Sequence, residues 1–197
     1  MVYLVDRENK VIRVDENNEK IKHHFLTKTL YPTNKNIKNK TLYLPSMEFN
    51  DGEGEVINKI FVYGTLKRNF GNNSYMYLYH NVVNRVISGE VKNMALVGSG
   101  VPFMIYKKGF VVRGEIFEYK VENERDVKKY NKMLNKIDRL EGFSMMSNSN
   151  TFYQRFLCEV KDGKGNKHLC WAYYGIMGEK NIIDFGEEFY SEYLRKY

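Results

Sequence analysis

The clearest periodicity in the chain lies in its second half. Val127, Tyr130, Met133, Leu134, Ile137 and Leu140 recur at intervals of three and four, the spacing that lines one face of an α-helix. This predicts an amphipathic helix over residues 122–140. Gly142 stands where such a helix stops, because a residue without a Cβ readily takes the left-handed conformation that closes a last turn. Elsewhere the apolar runs are short. Residues 60–63, 85–97, 101–106, 110–119, 152–160 and 167–176 read as strands. The last two flank Asp162-Gly163-Lys164-Gly165-Asn166, a turn sequence that makes them a hairpin. Gly114, inside a strong strand, marks a bulge or a close backbone approach. The aromatic stretch 74–83 reads as a short helix capped by Asn73 or Ser74, and residues 187–196 as a closing helix. Strands that follow one another with few helices between them predict an α+β fold, a small mixed, mainly antiparallel β-barrel with a few packed helices.

Ahead of this core the pattern is weaker. Val2-Tyr3-Leu4-Val5 and Val11-Ile12-Arg13-Val14 flank a polar turn and read as a hairpin, Thr41-Leu42-Tyr43-Leu44 as a further strand, and Asn50-Asp51-Gly52-Glu53-Gly54-Glu55 as a linker. Residues 1–55 are therefore expected to be an N-terminal extension, a lid or a docking surface, on a domain spanning 56–197.

Composition narrows the function. A chain of 197 residues with 43% hydrophobic positions can bury one full core. The net charge of +7 comes from lysines scattered along the chain rather than gathered in a stripe, which argues for solubility and against a nucleic-acid partner. No apolar run reaches the roughly 20 residues that cross a bilayer, and no charged-then-apolar leader opens the chain. A soluble, cytoplasmic protein without a membrane partner is expected. Cys158 and Cys170 are equidistant from Lys164 in the hairpin turn, so they are expected as cross-strand neighbours, as reduced thiols. The four histidines, His23, His24, His80 and His168, form no ligand spacing and no triad with a nucleophile. Neither a metal nor a cofactor is expected.

Two places could carry chemistry. The strand Ile60-Phe61-Val62-Tyr63 runs into Gly64-Thr65-Leu66-Lys67-Arg68. A bend at Gly64 gathers backbone N–H groups that suit an anion such as a carboxylate. Glu141 follows Leu140 at the edge of the apolar stripe and at the helix C-terminus. Burial and the helix dipole there both disfavour its charge and raise its proton affinity. A half-exposed glutamate paired with Arg139 or a lysine fits the same residues. Tyr153 and Arg155 share one strand face and either line a pocket or brace Glu141; an arginine close by would oppose the effect of burial. One of Tyr173 and Tyr174 is expected to point into the barrel.

Phe61-Val62-Tyr63-Gly64-Thr65-Leu66-Lys67-Arg68 with Gly71-Asn72-Asn73, and Ile137-Asp138-Arg139-Leu140-Glu141-Gly142 with Tyr153-Gln154-Arg155, together resemble the signature of the gamma-glutamylcyclotransferase-like family, in particular its gamma-glutamylamine branch. The resemblance covers roughly residues 59–175. It departs at Asn69, where the family usually has glycine, and at a polar insert over residues 144–151. It implies an enzyme that acts on a small gamma-glutamyl amide and releases 5-oxoproline and a free amine, needing no cofactor. Glu141 would be its general acid/base, and Tyr63, Gly64, Thr65 and Leu66 would hold the substrate carboxylate, with Tyr153 and Arg155 beside them. The alternative is a non-catalytic protein that uses the same pocket for a small ligand or a nucleotide, with the basic extension docking a partner.

Overall fold

The computed structural model describes residues 2–5, 10–14, 55–97, 102–143 and 153–175. The expected strand at 41–44, the insert at 144–151 and the closing helix at 187–196 lie outside the described residues, as do His23 and His24 and all of the expected linker at 50–55 except Glu55, which belongs to a strand. Among the described residues no helix is long and apolar enough to cross a membrane.

Strands β1 (Val2–Val5) and β2 (Lys10–Val14) form the expected antiparallel hairpin. β2 also pairs with β3 (Glu55–Val56), through Lys10 opposite Val56 and Val11 opposite Glu55. The N-terminal hairpin is thus tied to the segment that leads into β4 (Lys59–Val62).

β4, β5 (Val83–Val97), β6 (Phe103–Tyr119), β7 (Tyr153–Asp162) and β8 (Lys167–Gly175) close a barrel in the order β4-β6-β5-β7-β8. All pairings are antiparallel except the closure, where β4 runs parallel to β8 with Ile60 beside Trp171. Alternate residues serve two apolar clusters. Phe61, Ile116, Phe156, Cys158, Cys170, Ala172 and Tyr174 fill the barrel. Ile60, Val62, Phe117, Leu157, Trp171 and Tyr173 face outward and pack with Tyr130, Met133, Leu134 and Ile137 of helix α1 (Glu124–Leu140). Tyr174 is therefore the tyrosine that points into the barrel. The two cysteines are opposite one another, as buried free thiols.

α1 begins two residues later than its periodicity predicts, because Asn123 caps it by accepting the Asp126 N–H at 3.1 Å. It ends at the predicted glycine. Gly142 has φ +67°, its N–H donates to Arg139 O at 3.2 Å, and Phe143 N–H donates to Asp138 O at 2.7 Å. This pair of bonds is a Schellman closure, and the buried Phe143 joins the same apolar cluster as Ile137.

Two expectations need correction. The strands read at 101–106 and 110–119 are one 17-residue strand, β6. Lys107-Lys108-Gly109 resembles a turn, but Gly109 at φ +89° donates its N–H to Asn93 Oδ1 (3.0 Å), next to an irregularity between Lys92 and Met94, so the ladder bends and continues. The aromatic stretch is not an α-helix but a 3-10 segment over Asn73–His80, broken by extended Leu78 and left-handed Tyr79. Its asparagines do not cap it; they hold the preceding loop, as described below.

Gly114 is the close approach its sequence position indicates. A Cβ there would run into the Val62 carbonyl oxygen and come within 2.8 Å of the Phe61 ring. Backbone cannot yield as a side-chain tip can, so Gly114→Ala is expected to cost ~3 kcal/mol. A denaturant midpoint unchanged by this substitution would show that β4 and β6 are further apart than described.

Candidate active site

Where β4 ends, the chain turns sharply and is held by its own side chains. Lys67 N–H donates to Gly64 O at 3.1 Å, and Asn72 N–H to Thr65 O at 3.2 Å. Asn72 Nδ2 donates to Thr65 Oγ1 (2.9 Å) and Asn73 Nδ2 to Leu66 O (2.8 Å). Arg68 donates its backbone N–H and its Nε to the two carboxylate oxygens of Glu115 on β6, at 2.9 and 3.0 Å. Asn69 sits at φ +68°, a left-handed position that asparagine tolerates better than most residues, so the departure from glycine leaves the turn intact. Within this frame the backbone N–H groups of Gly64, Thr65 and Leu66 have no partner among the described residues. They are a short row of donors of the kind that receives an anion.

The loop lines a cavity of about 250 Å³ whose other lining residues include Pro102, Leu140, Glu141, Tyr153 and Tyr173. Of the residues singled out from sequence, Tyr63, Gly64, Thr65, Leu66, Glu141 and Tyr153 come together here. Arg155 does not. It is 2% exposed, with Nε 3.4 Å from Asp138 Oδ1 and its guanidinium 4.5 Å from the Trp171 ring and 5.7 Å from that of Phe143. Arg155 neither lines the cavity nor pairs with Glu141; its guanidinium faces Asp138. His80 and His168 do not line the cavity either; His168 Nε2 lies 3.0 Å from Asp162 Oδ2 at the hairpin turn.

Glu141 is the C-cap residue of α1. Among the described residues its carboxylate has neither a hydrogen bond nor an ion pair, with Arg139 or any lysine. Burial and then the charge of Asp138, one turn back on the helix, push its pKa from the ordinary 4.5 up to about 7. Arg155 does not counter this, because its guanidinium is already engaged by Asp138. Asp138 is buried, accepts the Tyr173 hydroxyl at 2.7 Å, and is itself raised by burial against the pull of Arg155 and Tyr173. The arrangement can therefore bind an anion at one end and exchange a proton at the other, near neutral pH.

The chain matches the family described as gamma-glutamyl cyclotransferase, AIG2-like, over residues 60–187. No curated protein matches it. Among solved structures it is similar to an AIG2-like protein from Mus musculus, at 26% identity over 65% of this chain and 85% of that one, with a TM-score of 0.46. It is also similar to a protein from Arabidopsis thaliana solved in solution, at 15% identity over 71% of this chain and 83% of that one, TM-score 0.46. A structure described as a gamma-glutamyl cyclotransferase shares 15% identity over 64% of this chain and 68% of that one, TM-score 0.40.

The raised Glu141 carries a stability signature of definite sign. Its folded pKa of about 7 lies above the ordinary 4.5, so the folded state favours the protonated form, and wild-type stability falls as pH rises through this window. Glu141→Gln removes the buried charge. The variant is expected to gain on wild type between pH 5 and pH 8, by on the order of 1–3 kcal/mol given a side chain partly open to solvent. Parallel stability curves for the two proteins over that range would show that Glu141 is not desolvated.

Proposed function

The chain belongs to the gamma-glutamyl cyclotransferase, AIG2-like family, and on that footing we propose that it converts a small gamma-glutamyl amide into 5-oxoproline and a free amine. The observation that carries the reading is the half-buried Glu141 carboxylate in the same small cavity as the N–H groups of Gly64, Thr65 and Leu66, all of them without a partner among the described residues. A gamma-glutamyl group brings a carboxylate for those donors and an α-amine for that base.

In the proposed reaction the substrate's α-nitrogen attacks its own side-chain carbonyl carbon. The new C–N bond closes a five-membered lactam, the amide C–N bond breaks, and the proton released by the attacking nitrogen ends on the departing one. Water is neither consumed nor formed. The cavity's first task is to hold the chain folded so that nitrogen and carbonyl meet, and fixing such a geometry can remove roughly 7–11 kcal/mol of barrier. Its second is the proton. A carboxylate that titrates at about pH 7 takes a proton from the attacking nitrogen and gives it to the leaving nitrogen with little mismatch either way, a contribution of ~10²–10⁴-fold. Because the nucleophile belongs to the substrate, no serine or cysteine is needed. Thr65 Oγ1 accepts from Asn72, and both cysteines are buried away from the cavity. The leaving amine is proposed to be of the lysine side-chain type, on the likeness of Tyr63-Gly64-Thr65-Leu66-Lys67 to the gamma-glutamylamine branch.

The test is mass-spectrometric detection of 5-oxoproline from gamma-glutamyl-ε-lysine, glutathione and simple gamma-glutamyl dipeptides. Wild type is expected to release it from at least one of them, and Glu141→Gln to be slower by ~10²-fold or more. The base must be ionised to act, so kcat/KM is expected to rise with pH through about 7, a limb absent from the variant. Full activity in Glu141→Gln would end the mechanism, and a folded wild type inactive on every substrate would end the proposal.

A further inference from the structure

Three tyrosines line the cavity, and each has already committed its hydroxyl proton. Tyr63 donates to the Tyr173 carbonyl oxygen at 2.9 Å and accepts from Met104 N–H at 3.3 Å. Tyr153 donates to Pro102 O at 2.9 Å. Tyr173 donates to Asp138 Oδ1 at 2.7 Å. A phenol has one proton to give, so any further hydrogen bond at these oxygens is one they accept. The commitment of Tyr173 is the firmest. Its acceptor is a buried carboxylate oxygen that Arg155 Nε also approaches, at 3.4 Å, and a charged acceptor makes the shorter and stronger bond. It also polarises the phenol, which makes that oxygen the better acceptor in its turn.

The cavity is therefore divided by hydrogen-bonding character. The β4 loop supplies donors, the N–H groups of Gly64, Thr65 and Leu66. Glu141 and Tyr173 supply acceptors. When Asp138 and Glu141 are both ionised against one Arg155, this cluster carries one negative charge in excess, which a bound ammonium would balance.

We infer that Asp138 is a positioning residue that fixes Tyr173 as a hydrogen-bond acceptor for the substrate's α-amino nitrogen. The inference rests on the cyclotransferase reading and extends it. That nitrogen keeps one N–H from the free amine through to the lactam product, so a contact with Tyr173 persists while Glu141 handles the proton that moves. Asp138 touches no reacting atom; it acts by denying Tyr173 the opposite orientation of its hydroxyl.

The discriminating measurement is a calorimetric comparison of two ligands on the full chain at pH 7: 5-oxoproline, and 5-oxotetrahydrofuran-2-carboxylate, which has a ring oxygen where the lactam has N–H. Wild type is expected to prefer the lactam by about tenfold, the ratio one well-placed hydrogen bond gives. In Tyr173→Phe that preference should collapse to within about twofold through loss of lactam affinity. Unchanged lactone affinity would show that the variant is folded and its N–H row intact. In Asp138→Asn the amide can donate to Tyr173 and release the hydroxyl proton, so the preference should fall by about threefold or more. A wild-type ratio in either variant, with both ligands still bound, would overturn this inference and leave the cyclotransferase reading standing. If neither ligand bound to folded wild type, both would fall.

Discussion

A strand buried on both faces has to sort its side chains by parity, and β8 is where the rest of this structure depends on that sorting. From His168 to Gly175 every residue is buried. Cys170, Ala172 and Tyr174 are committed to the barrel interior, Leu169, Trp171 and Tyr173 to the layer beneath α1. A shift of one residue would exchange the two sets and bring small side chains under the helix in place of Trp171 and Tyr173. The position of α1, and with it that of Glu141 at its end, therefore follows from the hairpin register of β7 and β8. The proposed base sits at the end of a helix, but it is a sheet that puts the helix there.

The layer between barrel and helix is not purely apolar. Asp138 and Arg155 are both buried there, and an ion pair in such a place does not come free, since desolvation costs several kcal/mol per ion and the attraction between them repays it only when the remaining polar atoms are served. Here the Tyr173 hydroxyl serves Asp138, and the rings of Trp171 and Phe143 face the guanidinium. Replacing the pair with hydrocarbon would serve stability about as well. It would not hold a negative charge one helical turn behind Glu141, which is the second cause of that residue's raised pKa. The polar cluster is best understood as part of the site, placed in the core because the helix face that carries it is the buried one.

Much of this could be read from the chain. The stripe on α1, its glycine stop, the hairpin turn and the facing cysteines all follow from local rules that the tertiary structure respects. What was missed lay in combining them. Placing Cys158 opposite Cys170 also places Arg155 opposite Tyr173, which would have given Tyr173 a polar neighbour. Asp138 likewise stands four residues after Leu134, on the apolar stripe itself, where a carboxylate must find a partner. Other features had no local signal. The continuity of β6 through Lys107-Lys108-Gly109 depends on Asn93 across the ladder. The role of Asn72 and Asn73 depends on Thr65 and Leu66, seven residues back across the turn.

The loop and the helix end share an uncommon property: each presents polar groups without a partner among the described residues. Unpaired N–H donors and an unpaired carboxylate facing a small cavity both weaken the folded state, by about 1–3 kcal/mol for each group that water does not reach. A fold selected for stability alone would have closed the two against each other or against a neighbouring side chain. Instead, separate devices keep them apart. Glu115 and two asparagines hold the loop from behind, and the Schellman closure holds the helix end. Arg155, buried in the same layer, is held by Asp138. A ligand that satisfied both sets at once would need an anion and a hydrogen-bond-donating nitrogen a short distance apart, as an amino acid has. On the cyclotransferase reading these groups specify the head of the ligand more closely than its tail, for which the cavity offers mainly the apolar surfaces of Pro102, Leu140 and Tyr153.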